Sequence, residues 1–259
     1  MRVALGLEYD GTGYNGWQRQ KCGVGVQEVV EHALAAVAAH PVECVAAGRT
    51  DAGVHALAQV AHFDTTARRS PRNWLLGVNS NLPADVSVSW AVPVDREFHA
   101  RYSATARTYR YLVLNRATRS ALWRHRAWWV HRALDEERMR EAAVPLHGEH
   151  DFSAFRAAGC QARTAVREMQ EIAIERSGDW LAITVRANAF LQHMVRNIVG
   201  VLVAIGQGER PPAWAGEVLA SRDRRQGGVA APPHGLTLVA VAYPADCGLP
   251  RPPLRPTPP

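Results

Sequence analysis

The side chains most able to do chemistry together lie in Gly48-Arg49-Thr50-Asp51-Ala52-Gly53-Val54-His55-Ala56, where a guanidinium, a hydroxyl, a carboxylate and an imidazole share one short run. Asp51 is its natural centre, because a carboxylate can act as nucleophile, base or ligand. Arg49 is placed to keep it ionised in a water-poor site. The plainer reading of the same residues is an Asx-turn carrying a surface ion pair. His55 is either a second base or a brace for the turn. Glycines at both ends admit backbone conformations closed to other residues, which suits a polar side chain held at a strand edge.

The elements that must position this run are legible on both sides of it. Val3 to Tyr9 alternates as a strand, and Val26 to Ala39 has the apolar spacing of an amphipathic helix stopped by Pro41. Gln59-Val60-Ala61-His62-Phe63 reads as the strand after the motif. Ser70-Pro71 is a capped helix start, with Trp74, Leu75 and Val78 on the apolar side, and Val86 to Trp90 alternates again. With the apolar Val42, Val45, Ala46 and Ala47 as an extended segment before the motif, this β-α-β-β-α-β order predicts a ferredoxin-like layer. Further on, the spacing predicts strands over Trp123 to His131, Met169 to Glu175 and Trp180 to Val185. Helices are predicted over Asp135 to Val144, from Phe190 to about Ile205, and over Pro211 to Ala220, with a closing strand from Leu236 to Val241.

Other stretches carry chemistry of their own. Asp10 to Gln20 is glycine-rich with two aromatics, which suits a phosphate cradle but lacks the Gly-Lys-Ser/Thr ending of a P-loop. Phe98 to Tyr111 interleaves aromatics with arginines. RNA uses that pattern for base stacking and phosphate contact, and a strand with buried tyrosines would show it too. Phe152-Ser153-Ala154-Phe155-Arg156 and Cys160-Gln161-Ala162-Arg163-Thr164 form a polar, basic connection. Arg196 sits in a mostly apolar helix, where it either meets an anionic partner or faces water beside Gln192 and His193.

At 259 residues the chain can form one large or two modest domains, and its 47% apolar and 21% charged content is that of a globular protein. The longest apolar runs fall short of the roughly 20 residues that span a bilayer, and the strand-like start predicts no leader. Four scattered cysteines without Cys-x-x-Cys spacing predict free thiols, no metal site and a cytoplasmic setting. A net charge of +6, carried almost wholly by arginine, favours a polyanionic partner.

Taken together, Gly-Arg-Thr-Asp-Ala-Gly-Val-His, the Tyr9-to-Gln18 pattern, Phe98-His-Ala-Arg, Arg107-x-Tyr-Arg-Tyr, Cys160-x-x-Arg-Thr and His193-Met-Val-Arg-Asn-Ile-Val-Gly resemble the tRNA pseudouridine synthase A family over residues 3 to 244. The resemblance implies an α+β pseudouridine synthase fold. Its two similar ferredoxin-like (RRM-like) halves, 1–102 and 103–244, would form one central mixed, mostly antiparallel sheet flanked by helices. A proline-rich flexible tail, 245–259, would follow. It implies isomerisation of uridine to pseudouridine in the tRNA anticodon stem-loop, at positions 38, 39 and 40, with base flipping. Asp51 would be the nucleophile, with Tyr109, Leu236 and Arg196, the last pointed at Asp51, completing the catalytic set. RNA contacts would come from Arg49, Arg69, Phe98, His99, Ala100, Arg101, Tyr102, Gly159, Cys160, Gln161, Ala162 and Arg163. No cofactor or metal is implied, and a homodimer with tRNA crossing both subunits is. The competing readings are a non-catalytic RNA-binding protein of the same fold and a nucleoside hydrolase, for which an Asp-rich metal loop would be expected.

Overall fold

A computed structural model describes residues 1–250. In chain order its strands and helices are β1 (Arg2–Tyr9), α1 (Val26–Ala38), β2 (Cys44–Ala46), β3 (His55–Asp64), α2 (Pro71–Asn79), β4 (Val86–Val94), β5 (Ala106–Asn115) and β6 (Trp128–Val130). Then follow α3 (Glu136–Ala143), β7 (Gly148–Asp151), β8 (Val166–Ser177), β9 (Trp180–Ala187), α4 (Met194–Gly206), α5 (Trp214–Ser221) and β10 (Leu236–Ala242). The class is α+β with mostly antiparallel pairing, and among the described residues no helix is long and apolar enough to cross a membrane.

The chain divides into two compact units. The first runs from Met1 to Arg107 and takes back the described chain from Thr237 on; the second is Thr108–Leu236. The last strand thus returns to the first unit. The cause is pairing, since β10 lies parallel to β3 with Thr237 opposite His55 and Leu238 opposite Ala56. Residues 245–250 are also drawn in, as Leu249 and Pro250 line a small cleft with Gly6, Trp90 and Tyr243. The remainder of the proline-rich tail, 251–259, lies outside the described residues.

Within the first unit the strand order is β4-β1-β3-β10, with β2 paired to β3. β1 runs antiparallel to both β3 and β4. β3 is buried along nearly its whole length, which places the residues just before it at the edge of a fixed strand. Helix α2 begins as its sequence demands: Ser70 accepts from the Asn73 N–H and Pro71 holds the first position. Trp74 on α2 meets the edge of Phe63 on β3 at 5.0 Å, tying helix to sheet.

Within the second unit the order is β5-β9-β8-β7, with β6 parallel to β5. β5, α3, β8, β9 and α4 follow the order of the first unit, with β6, β7 and α5 added. Asp135 caps α3 by accepting from the Glu137 and Arg138 N–H groups. Two sequence expectations change. The strand expected over 123–131 shrinks to Trp128–Val130, because residues 121–126 turn and Trp123 folds against Trp180 at 5.0 Å. Helix α4 starts at Met194 rather than Phe190, because His193 takes a left-handed conformation (φ 62) and Asn188 draws the Ala189 N–H to its own side chain.

Candidate active site

The loop bearing Asp51 is held at nearly every turn by backbone bonds within the first unit. At its start the Ala47 N–H donates to Val60 O (2.7 Å), and Gln59 Nε2 donates to Gly48 O (2.7 Å). Thr50 Oγ1 meets the Tyr9 hydroxyl at 2.9 Å, a phenol that burial pushes up to about 12 and so keeps neutral. The Trp17 N–H donates to Thr50 O (3.0 Å), the Gly53 N–H to Tyr14 O (3.2 Å) and the Val54 N–H to Asp51 O (3.1 Å). Gly53 has φ +75, which explains the second glycine of the motif. Asp51 is half-buried, while Arg49 and Ala52 beside it are exposed.

The glycine-rich 10–20 stretch is the other half of this construction. A Cβ at Gly16, where φ is +90, would stand 2.6 Å from Thr50 O and 3.0 Å from the Asp51 carbonyl carbon. A Cβ at Gly11 would stand 2.0 Å from Val54 O. These glycines let one loop lie directly on the other, so the stretch braces the Asp51 loop rather than cradling a phosphate within this unit. Its residues were legible, but not what they lie against.

His55 resolves toward the brace. Its ring is buried at 2% exposure, and Nδ1 accepts the Gly11 N–H at 3.0 Å. Asp10 Oδ1 stands 3.1 Å from the same nitrogen and would pair with a protonated ring. A proton on Nδ1 would, however, face the Gly11 N–H, so that bond requires an unprotonated Nδ1.

The basic and aromatic stretch 98–104 forms a turn in the same unit. Phe98 and Ala100 are buried, so their side chains serve the core, while Arg101 and Tyr102 are exposed. His99 stacks on Tyr102 with centroids 4.3 Å apart, and the Arg101 guanidinium lies 5.6 Å from the Tyr102 ring centroid. His99 Nδ1 accepts from the Arg101 and Tyr102 N–H groups, both at 3.2 Å. His62 Nδ1 accepts from Ala100 N–H at 3.1 Å; burial lowers its pKa to about 4, so the ring stays neutral. Arg69 is exposed just before α2.

The second unit gathers the other residues singled out by the resemblance. Tyr109 on β5 is 7% exposed, its ring at right angles to Phe190 with centroids 5.2 Å apart. Arg196 on α4 is half-buried, and its Nε donates to Ala231 O (2.8 Å) while the Ala231 N–H returns to Arg196 O (3.0 Å). A Cβ at Gly200 would lie 2.0 Å from Val229 O, and one at Gly235 would lie 2.6 Å from the Tyr111 ring. Tyr111 OH donates to Pro232 O at 2.7 Å. Together these contacts fix the segment that delivers Leu236, which is 4% exposed at the start of β10.

The 152–164 connection splits in two. Phe152 and Phe155 are fully buried, and Asn197 ties Phe155 O (2.7 Å) to α4, so its first part is a core anchor. From Gly159 on the chain is open: Gly159, Gln161 and Arg163 are exposed, and Cys160 and Ala162 are half-buried.

Comparison with known proteins agrees with the geometry. A family model described as tRNA pseudouridine synthase matches residues 7–103 and 142–244. A Coxiella burnetii protein named tRNA pseudouridine synthase A is 59% identical over 255 residues, covering 98% of each chain. Proteins of the same name from Nitrosococcus oceani (55% identical, 97% of each chain) and Pseudomonas aeruginosa (54% identical, 96% of this chain and 88% of the relative) are similar. With the braced aspartate loop in place and matches over nearly its whole length, the chain belongs to the tRNA pseudouridine synthase family.

Proposed function

We propose that this isomerase acts on uridines 38, 39 and 40 of the tRNA anticodon stem-loop, as a homodimer whose tRNA crosses both subunits, in the cytoplasm. The observation that carries the catalytic assignment is the Asp51 loop, whose backbone is fixed before any substrate arrives. In the reaction the N1–C1′ bond breaks and a C5–C1′ bond forms. N1 gains a proton and C5 loses one, so no net oxidation occurs. Asp51 is the nucleophile, and a pre-set carboxylate avoids reorganisation at the moment of attack. Arg196 is the cation of the set, and Leu236 contributes an apolar wall. Tyr109 has its hydroxyl assigned to proton movement at C5, since its ring is already seated against Phe190. A base stacked in a stem is out of reach, so the uridine flips, at a cost of a few kcal/mol. Arg49, exposed beside Asp51, is suited to the space or phosphate that flipping leaves.

Support for the RNA surface is chemical: Arg101 and Tyr102 offer a cation and an open ring, and Arg163 a second cation. Mapping pseudouridine in tRNA from cells with and without the protein tests the targets. Loss confined to 38, 39 and 40 is expected, and unchanged maps would refute the assignment. In single turnover Tyr109→Phe should bind tRNA normally and slow by about 10²–10⁴-fold. A nearly normal rate would remove the proton-transfer role.

A further inference from the structure

Arg107, the second residue of β5, belongs to the first unit and is only 7% exposed, yet it carries a charge. Its guanidinium meets backbone carbonyls of two separate loops. Nε and Nη2 donate to Ala47 O at 3.3 and 2.8 Å. Nη1 donates to Ala104 O at 3.1 Å, and Nη2 to Arg101 O at 2.6 Å. Ala47 opens the Asp51 loop, and its own N–H is spent on Val60 O. Arg101 and Ala104 belong to the turn that presents the Arg101 and Tyr102 side chains. A buried guanidinium is tolerated only when its N–H groups are met, and its planar fork fixes the directions of those bonds as an ammonium cannot.

Other bonds hold the same turn to strands. Tyr243 OH donates to Ala100 O (2.6 Å), Arg2 Nη1 donates to Phe98 O (2.8 Å), and His62 accepts from Ala100 N–H (3.1 Å). They link it to the residue that follows β10, to β1 and to β3, whereas Arg107 links it to the loop of the nucleophile. We propose that Arg107 is a positioning residue that locks the RNA-contact turn and the Asp51 loop into one rigid piece. RNA held at Arg101 and Tyr102 is then registered against an Asp51 that is already in place. This rests on the reading of Asp51 as nucleophile and of the turn as an RNA contact.

The test is Arg107→Lys, which keeps the charge and loses the fork. Its single-turnover rate at saturating tRNA should fall by about 10-fold or more, since a misplacement of about 1 Å can cost on the order of 10²-fold. Its tRNA affinity should fall several-fold, and Arg101→Ala should add little to that loss. Tyr243→Phe, which loosens the turn alone, should weaken affinity with a much smaller effect on rate. Amide exchange judges the lock apart from the chemistry: in Arg107→Lys the Val54 and Ser103 amides should exchange faster together. Should that variant not fold, native-state exchange of the wild-type protein in mild denaturant should show 47–54 and 99–104 opening as one cooperative unit. Independent opening of the two segments overturns the proposal whatever Asp51 does. Wild-type rate and affinity in a folded Arg107→Lys protein overturn it equally.

Discussion

The Asp51 loop and the 157–163 loop are both polar, glycine-containing and short, yet they are built in opposite ways. The first is stitched by bonds from β1, β3 and the 10–17 loop, and glycines at 11 and 16 stand where a Cβ would strike its backbone. Apart from the Ala157 N–H, which donates to Gln192 O (3.0 Å), the second relies on local bonds, such as Cys160 N–H to Ala157 O (3.1 Å) and Arg156 Nη2 to Cys160 O (3.2 Å). A Cβ at Gly159 would meet nothing within 4 Å. A group that attacks a carbon must already be in place, because misplacement enters the barrier directly. A segment that meets phosphate can adapt on contact and lose little.

The comparison breaks at its root if the braced aspartate is not the acting group. Asp51→Asn should retain the fold, with a melting temperature close to wild type, and lose more than about 10³-fold in single-turnover rate. Substantial pseudouridine formation by the purified variant would refute it. Matched glycine substitutions sharpen the contrast. Gly16→Ala forces a Cβ onto Thr50 O from a left-handed backbone, and should slow turnover by about 10–100-fold with a clear loss of stability. Gly159→Ala should leave both within error, and equal effects at the two glycines would dissolve the distinction.

The 98–104 turn lies between these extremes, since it touches RNA in our reading but is held firmly. His62 supports it as a neutral acceptor, with Arg2, Asp64 and His99 around its ring. Its pKa of about 4 in the fold lies below the ordinary value of 6.5, so the unfolded chain binds the proton first. The stability it confers is complete above pH 6.5 and is lost as pH falls toward 4. His62→Gln, whose side-chain carbonyl can still accept the Ala100 N–H, should flatten the melting-temperature profile across that window; an unchanged slope would contradict the role. The smallest effect belongs to the open loop. Arg163→Ala should weaken tRNA binding several-fold and lower the salt dependence of affinity by about one counterion, leaving the saturated rate near wild type.

Residue types and spacing alone determined much of this protein. The β-α-β-β-α-β order of the first unit and the Ser70-Pro71 and Asp135 helix starts follow from local rules, because capping, alternation and turn chemistry act over a few residues. Tertiary structure alone decided that Gly11 and Gly16 exist to admit the Asp51 loop, that Phe152 and Phe155 are core, and that Arg107 reaches Ala47, which lies 60 residues earlier. It also decided that the last strand returns beside β3. An arginine in an alternating strand looks the same whether it faces water or spans two loops. Which carbonyls lie within its reach depends on how distant segments come together, and that is a property of the packed chain, not of any window along it.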